Sequence, residues 1–291
     1  MIISLRPGWG GVKIVVFEHN TPDFLYRKLQ NSYKASILQE LYRRIYSWPR
    51  QLKKDKRRHL LLLKTSDRYV VLAKGYEEVL RKVCKISKDS PLMEKVRFIN
   101  NPLTPIENYS GLKKEKIILF VGQIGPQKRV DKMLDLWASV NDIHGWTLMI
   151  VGDGPLMDKM KERVETQKLT NVVFEGYQQP DIYYCKAKIF WMTSDFEGWP
   201  MTLTEAMSHG CVPVVYNTFA ACEDIIDNDL NGYLIEEGGF VSFIKATRRL
   251  MADEEKWNQM SKAARDKTDT WGEVAITKKW EALLSELEKN K

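Results

Sequence analysis

The sequence predicts a two-part α/β protein built on parallel sheets with helices packed over them, the first part being the less complete. Three observations lead there. Short runs rich in Val, Ile and Phe recur along the chain and are nearly continuous in apolar character, as strands buried on both faces are. Amphipathic stretches of helical period separate most of them. A loop-forming tract, Asn100 to Lys114, holds two prolines, a glycine and three asparagines, and the strand–helix alternation restarts cleanly after it.

Taken in chain order, strands are expected at Val12–Glu18, Arg68–Ala73 and Val96–Asn100 before that tract. After it they are expected at Lys116–Gly122, Trp146–Val151, Asn171–Glu175, Lys188–Met192, Val212–Tyr216 and Gly232–Ile235. Helices are expected over Lys128–Val140, Leu156–Gln167 and Met201–His209, and a last one over Trp271–Lys291. The division that follows is an acceptor-side unit at 1–108, a ligand-binding unit at 109–270, and a helix at 271–291 that packs back on the first unit.

Composition narrows the class. A 291-residue chain with 44% hydrophobic content and nine tryptophans can bury two cores. Its four cysteines form no C-x-x-C pair and lie far from the histidines, so neither a disulfide framework nor a zinc site is expected. Scattered thiols, no apolar run long enough to span a bilayer, and an apolar stub of only Met1 to Leu5 point to a cytoplasmic protein. Charge is lopsided: residues 1–110 carry 22 Lys and Arg against 10 Asp and Glu, net +12, while the other 181 carry 23 against 28, net −5.

The densest chemical signal is Ser194 to Val215, SDFEGWPMTLTEAMSHGCVPVV. It begins just past a predicted strand and runs into a predicted helix. Ligands of open parallel sheets bind beyond the carboxyl ends of strands, and a helix N-terminus there offers unpaired N–H groups to phosphate or sugar oxygens. Glu197, Gly198, Met201 and Thr202 are therefore expected to line a crevice. Glu205 follows Glu197 by eight residues, and the two carboxylates can hold different hydroxyls of one ligand. Two lone glutamates would read as ordinary helix-start acids; Gly198, Pro200, Ala206, Gly210 and Pro213 around them argue otherwise.

Two glycine turns add to this. In LFVGQIGPQKRVDKML, Leu119 to Leu134, Gly122 lets the backbone approach a diphosphate, and Lys128 with Arg129 opens a helix beside it; an ordinary βα turn with a surface lysine is the competing account. In MIVGDGPLMDKM, Met149 to Met160, Gly152 and Gly154 supply two glycines of a dinucleotide fingerprint, but the third position is Met157. Neither run has the Walker spacing, so dehydrogenase and P-loop readings lose their support.

These runs together make residues 116–285 resemble the C-terminal domain of glycosyltransferase family 4, a bacterial envelope-polysaccharide type with the two-Rossmann GT-B fold. Glu197 and Glu205 match the family's E-x7-E element, Gly122 and Lys128 its G-R-x-x-x-x-K loop, Gly152, Gly154 and Pro155 its G-x-G-P, and Asn231 to Ile235 its N-G-Y-L-I run. The resemblance implies a retaining, metal-independent transfer of a hexose from a nucleoside diphosphate sugar, by the family's habit a UDP-sugar, to an envelope glycan or lipid-linked acceptor, with no cofactor. It also implies roles: Lys128 on the diphosphate, Glu197 on the sugar hydroxyls, Glu205 on the ribose, Gly198 to Thr202 as a backbone cradle, and Tyr177 against the base. Gln123 stands where the family has an arginine, which leaves Lys128, with Arg129 beside it, to carry the charge.

The first hundred residues resemble only the latter half of the family's N-terminal domain, through Ser4–Pro7, Val15–Asn20 and Ser66–Leu80. A truncated gene, a misplaced start or a partner chain that supplies the missing units are the three explanations, and Gly8–Gly11 is no substitute for the family's glycine loop. His19 ends a strand where the family places a histidine near the donor sugar; a structural histidine in a βα turn is equally compatible. Residues 42–60 carry eight Lys and Arg against one Asp, interleaved with Tyr, Ile, Trp and Leu. Such a segment suits an anionic membrane surface or stands as a solvated basic helix. No nucleic-acid module surrounds it. The rival function is a non-catalytic nucleotide-sugar-binding remnant, or one subunit of a split transferase.

Overall fold

The computed structural model describes residues 2–5, 13–30, 41–103, 112–140 and 145–289. Gly8–Gly11 and the 108/109 boundary lie outside the described residues. The first domain holds strands β1 (Ile2–Leu5), β2 (Lys13–Phe17), β3 (Arg68–Val71) and β4 (Val96–Phe98), hydrogen-bonded in that order. β2, β3 and β4 run parallel, while β1 pairs antiparallel with β2 in the register Ile3 to Val15. Ile2–Leu5, which the sequence marks only as part of a short apolar stub, form this strand, because β2 presents an edge that four residues can satisfy.

Its helices are α1 (Phe24–Gln30), α2 (Trp48–Thr65) and α3 (Gly75–Cys84), with a π-helical turn at Arg43–Ser47 leading into α2. Pro49 sits in the first turn of α2, where the missing N–H is not needed. The buried face of α2 is Asp55, His59 and Leu63, four residues apart, so its Lys and Arg residues are turned outward.

The second domain is a six-stranded parallel sheet: β5 (Glu115–Val121), β6 (Thr147–Val151), β7 (Val172–Gly176), β8 (Ala187–Met192), β9 (Val212–Asn217) and β10 (Tyr233–Glu236), in the order β10-β9-β8-β5-β6-β7. The chain leaves β5 in one direction and returns to its other side at β8, so the order reverses between these two strands. Covering helices are α4 (Val130–Val140), α5 (Met157–Thr166), α6 (Asp181–Lys186), α7 (Met201–Ser208), α8 (Cys222–Ile225), α9 (Phe240–Ala252) and α10 (Glu254–Thr268). The apolar stripe of α4, Val130, Met133, Leu134, Trp137 and Val140, has the 3–4 spacing of a helix lying on a sheet. Trp137, Trp191 and Phe243 meet beneath it edge to face.

A hydrophobic cluster runs from Val15–Phe17 and Tyr69–Ala73 of the first domain to Leu119, Phe190 and Val215 of the second sheet and Leu203 of α7. It also takes in Ile276, Leu283 and Leu287 of the last helix, α11 (Glu273–Lys289). Trp280 meets Phe17 edge to face, Glu286 accepts from Arg68 (2.8 Å) and Arg97 (2.6 Å), and Lys279 donates to Asn100 (2.8 Å). No described helix is long and apolar enough to cross a membrane.

Candidate functional site

The loops after β5 and β8 flank the point where strand order reverses. The first, Gly122 to Lys128, lies against the glycine turn after β6. Gly122 donates to Val151 O and Ile124 donates to Asp153 O. A Cβ on Gly152 would stand 2.0 Å from Gly122 O, and one on Gly154 would stand 2.5 Å from Ile124 O. The glycines that sequence singled out are thus needed for one loop to lie on the other.

Lys128 closes a 3-10 turn, Pro126–Lys128, and Arg129 follows at φ 51° before α4 begins. The expectation that Lys128 and Arg129 open the helix is corrected: the helix starts at Val130. A left-handed residue without a glycine's freedom is strained, and the strain is held by Thr193, whose buried hydroxyl donates to Lys128 O at 2.9 Å, with Arg129 O at 3.1 Å. The chain reversal keeps the Lys128 side chain out of the first turn of α4 and turns it across the crevice. Its ammonium reaches Glu197 Oε1 at 2.6 Å. Glu197 is only 7% exposed, and Gln127 steadies it from behind, donating to Phe196 O (2.7 Å) and to Glu197 Oε2 (3.3 Å).

Arg129 does not extend into the same space. Its guanidinium is shared between Asp131 and Asp195, and Lys132 joins it on Asp195 at 3.1 Å. Gln123 is exposed at the loop's tip.

On the other wall, Pro200 precedes α7, whose first turn carries Met201 and Thr202, both half-buried. Glu205 sits one turn further in and accepts from the Tyr184 hydroxyl at 2.9 Å. Burial holds the Glu205 carboxyl above the usual carboxylate range. The two glutamates of the eight-residue spacing therefore face different partners, a lysine and a tyrosine. Tyr177, just past β7, is 81% exposed.

The first domain closes over these loops. His19 is exposed beyond the end of β2, and its carbonyl lies where a Cβ on Gly198 would come within 2.4 Å. Tyr76 donates to Glu197 O at 2.5 Å. Arg27 donates to Thr218 O (3.0 Å) and Asp195 O (3.3 Å), and the Lys74 amide donates to Asp224 at 2.6 Å. Sequence reasoning passed over Arg27, Tyr76, Gln127, Tyr184 and Asp195. Asp195 and Gln127 lie inside the runs quoted, beside Glu197 and Lys128, so their places were usable signals; Arg27, Tyr76 and Tyr184 reach the site across long sequence separations that no local pattern encodes. Among the described residues no group of three or more His, Cys, Asp or Glu is placed to hold a metal.

Comparison with known proteins gives this geometry a setting. The family model described as glycosyl transferases group 1 matches residues 106–267, more than half of the chain. The chain is 28% identical to the amylovoran biosynthesis glycosyltransferase AmsD of Erwinia amylovora, over 60% of this chain and 49% of that protein. It is 27% identical to the lipopolysaccharide 1,6-galactosyltransferase of Salmonella typhimurium, over 73% of this chain and 60% of that one. It thus spans between half and three-fifths of these relatives' lengths. Among solved structures, Anabaena HepE in complex with UDP and glucose superposes with a TM-score of 0.72 at 16% identity, over 94% of this chain and 71% of that one. TarM of S. aureus, in a complex with UDP among other ligands, superposes at 0.68 with 22% identity, over 79% and 46%. The fold is that of GT-B glycosyltransferases, and the chain belongs to the glycosyl transferases group 1 family.

Proposed function

We propose that this chain acts as a retaining hexosyltransferase of the family-4 type, moving a sugar from a UDP-sugar to a cell-envelope glycan or lipid-linked acceptor without a metal ion. The observation that carries the reading is the Lys128–Glu197 pair, held in the crevice between the β5 and β8 loops at the strand switch point. Lys128 would leave Glu197 for the donor's diphosphate and stabilise it as leaving group. Glu197 would then take the sugar hydroxyls and Glu205 the ribose. Gly122 and the backbone of Gly198 to Thr202 would cradle phosphate and sugar, with Gly152 and Gly154 beneath, Gln123 at the loop's tip, Tyr177 against the base and His19 over the sugar.

The basic segment supports a peripheral site on the inner face of the membrane. Tyr42, Ile45 and Tyr46 are exposed beside Arg44, and Lys53, Lys54 and Arg57 face outward from α2. Binding to vesicles containing an anionic lipid should weaken steeply between 0.05 and 0.5 M salt, as about 1 kcal/mol per cation is screened.

A second reading, a nucleotide-sugar binder that is inactive alone, draws on Gln123 in place of a cationic side chain. The two part company in one experiment. The purified chain is melted with UDP, GDP, CDP or ADP, and transfer from the matching labelled sugar is then followed. A ligand at 100 times its dissociation constant should add about 2.7 kcal/mol of stability, and Lys128→Ala should abolish this. Binding with transfer supports the enzyme, binding without transfer supports the second reading, and no binding overturns both.

A further inference from the structure

Tyr184, the buried side chain that holds Glu205, is given no role by the proposed transfer. Tyr184 is fully buried on α6, beneath α7, and its hydroxyl donates to Glu205 Oε2. The tyrosine is fixed from two other sides. Its amide donates to Pro180 O at 3.0 Å, and the His209 ring stacks on its own at 5.5 Å between centroids and 27° between planes. His209 Nδ1 in turn lies 3.0 Å from Glu205 O, so the ring that stacks on Tyr184 is tied to the residue that Tyr184 holds. Among the described residues none donates to Glu205 Oε1. One oxygen of the carboxylate is anchored by a rigid, water-excluded donor, and the other is left for a ligand.

We propose that Tyr184 is a positioning residue, which orients the Glu205 carboxylate and keeps it ionised so that its second oxygen accepts from the ribose diol of the nucleotide. This rests on the reading of the site as one for a nucleotide sugar. The physical chemistry is direct. A hydroxyl donor favours the charged form of a carboxylate, and burial with a like charge nearby disfavours it. Here burial raises the Glu205 carboxyl, the Tyr184 bond lowers it, and Asp181 raises it further. Asp181 and Tyr184 face it from α6, and His209 from the end of its own helix. The ionised carboxylate accepts from the hydroxyls of a diol more strongly than the neutral acid, which gives up an acceptor position to its own proton. Nucleotide affinity should therefore fall as pH drops through the Glu205 value, and the tyrosine sets where that fall lies.

The test is Tyr184→Phe, which removes one oxygen and keeps the stacked ring. UDP and 2′-deoxy-UDP affinities are measured by calorimetry from pH 4.5 to 8.5, with GDP, CDP and ADP as alternative bases. In Tyr184→Phe the acid midpoint of binding should move up by roughly half to one pH unit, and the preference for the ribose over the deoxyribose form should drop several-fold. The nucleotide's own terminal phosphate also titrates at about pH 6, so the part of the acid limb that belongs to Glu205 is the difference from Glu205→Gln, in which only the phosphate's limb should remain; this variant stands in if Tyr184→Phe proves unstable. An unshifted midpoint with an unchanged ribose preference, or an acid limb in Glu205→Gln identical to that of the wild type, overturns the inference while leaving the nucleotide site intact. A wild-type chain that binds no nucleoside diphosphate at any pH overturns the site reading, and the inference with it.

Discussion

Gly152 adopts φ 134°, and a Cβ there would stand 2.0 Å from a backbone oxygen that cannot move without the loop before Lys128. Gly152→Ala should therefore lose about 3 kcal/mol or more in urea unfolding. Gly238 is the control: at φ 82° it has no atom within 4 Å of the added carbon, so Gly238→Ala should lose only about 1 kcal/mol. A second residue to test is His59, fully buried on α2 with the Tyr69 hydroxyl 2.6 Å from Nδ1 and Pro22 O 2.8 Å from Nε2. Burial, helped by the Arg58 charge, pushes its imidazole down to about 4 from 6.5. The unfolded chain then binds the extra proton between these values. The contribution is whole above about pH 6.5 and is lost as pH falls toward 4, by about 3 kcal/mol. His59→Gln should be less stable than wild type at pH 7.5, and its stability should fall less between pH 6.5 and 4.

At the scale of elements, α11 tests how far the second domain's tail belongs to the first. Leu283 is 4% exposed in the cluster shared with the first sheet, while Glu286 meets Arg68 and Arg97 at a partly exposed edge. Leu283→Ala should cost about 2–4 kcal/mol through the cavity it leaves. Glu286→Ala should cost about 1 kcal/mol or less, and less still in high salt. If the charge mattered more than the leucine, the helix would be held at its edge rather than by its buried face. The central strands β5, β8 and β9 were legible in sequence to within two residues, because a strand buried on both faces is nearly continuous in apolar character. The start of α4 was not. Apolar period alone places a helix at Lys128, and only the turn begun at Gly125 and Pro126, with Thr193 beneath it, shows Arg129 reversing the chain.

At the scale of the molecule, the two domains meet on the loops that form the crevice. Arg27 binds carbonyls at Asp195 and Thr218, and Tyr76 binds the Glu197 carbonyl. These bonds tie the glutamate expected to hold the sugar to the first domain's position. Arg27→Ala should populate an opened arrangement, read as a larger radius of gyration in X-ray scattering. It should also weaken UDP binding about threefold if a third of the molecules remain closed. An unchanged radius with unchanged affinity would mean that the shared hydrophobic cluster alone fixes the domains.

The sequence by itself determined the alternation of strand and helix, the glycine turns and the spacing of Glu197 and Glu205, since these are local patterns written in periodicity and in residues that only certain backbones admit. It placed Lys128, Glu197 and Glu205 near a strand's carboxyl end. What faces each of them was decided by the tertiary structure. Lys128 crosses to Glu197, Arg129 turns to Asp195, and Tyr184 comes up under Glu205 from 21 residues away. These pairings join side chains from separate loops and helices, and no local period encodes which two elements the sheet brings side by side.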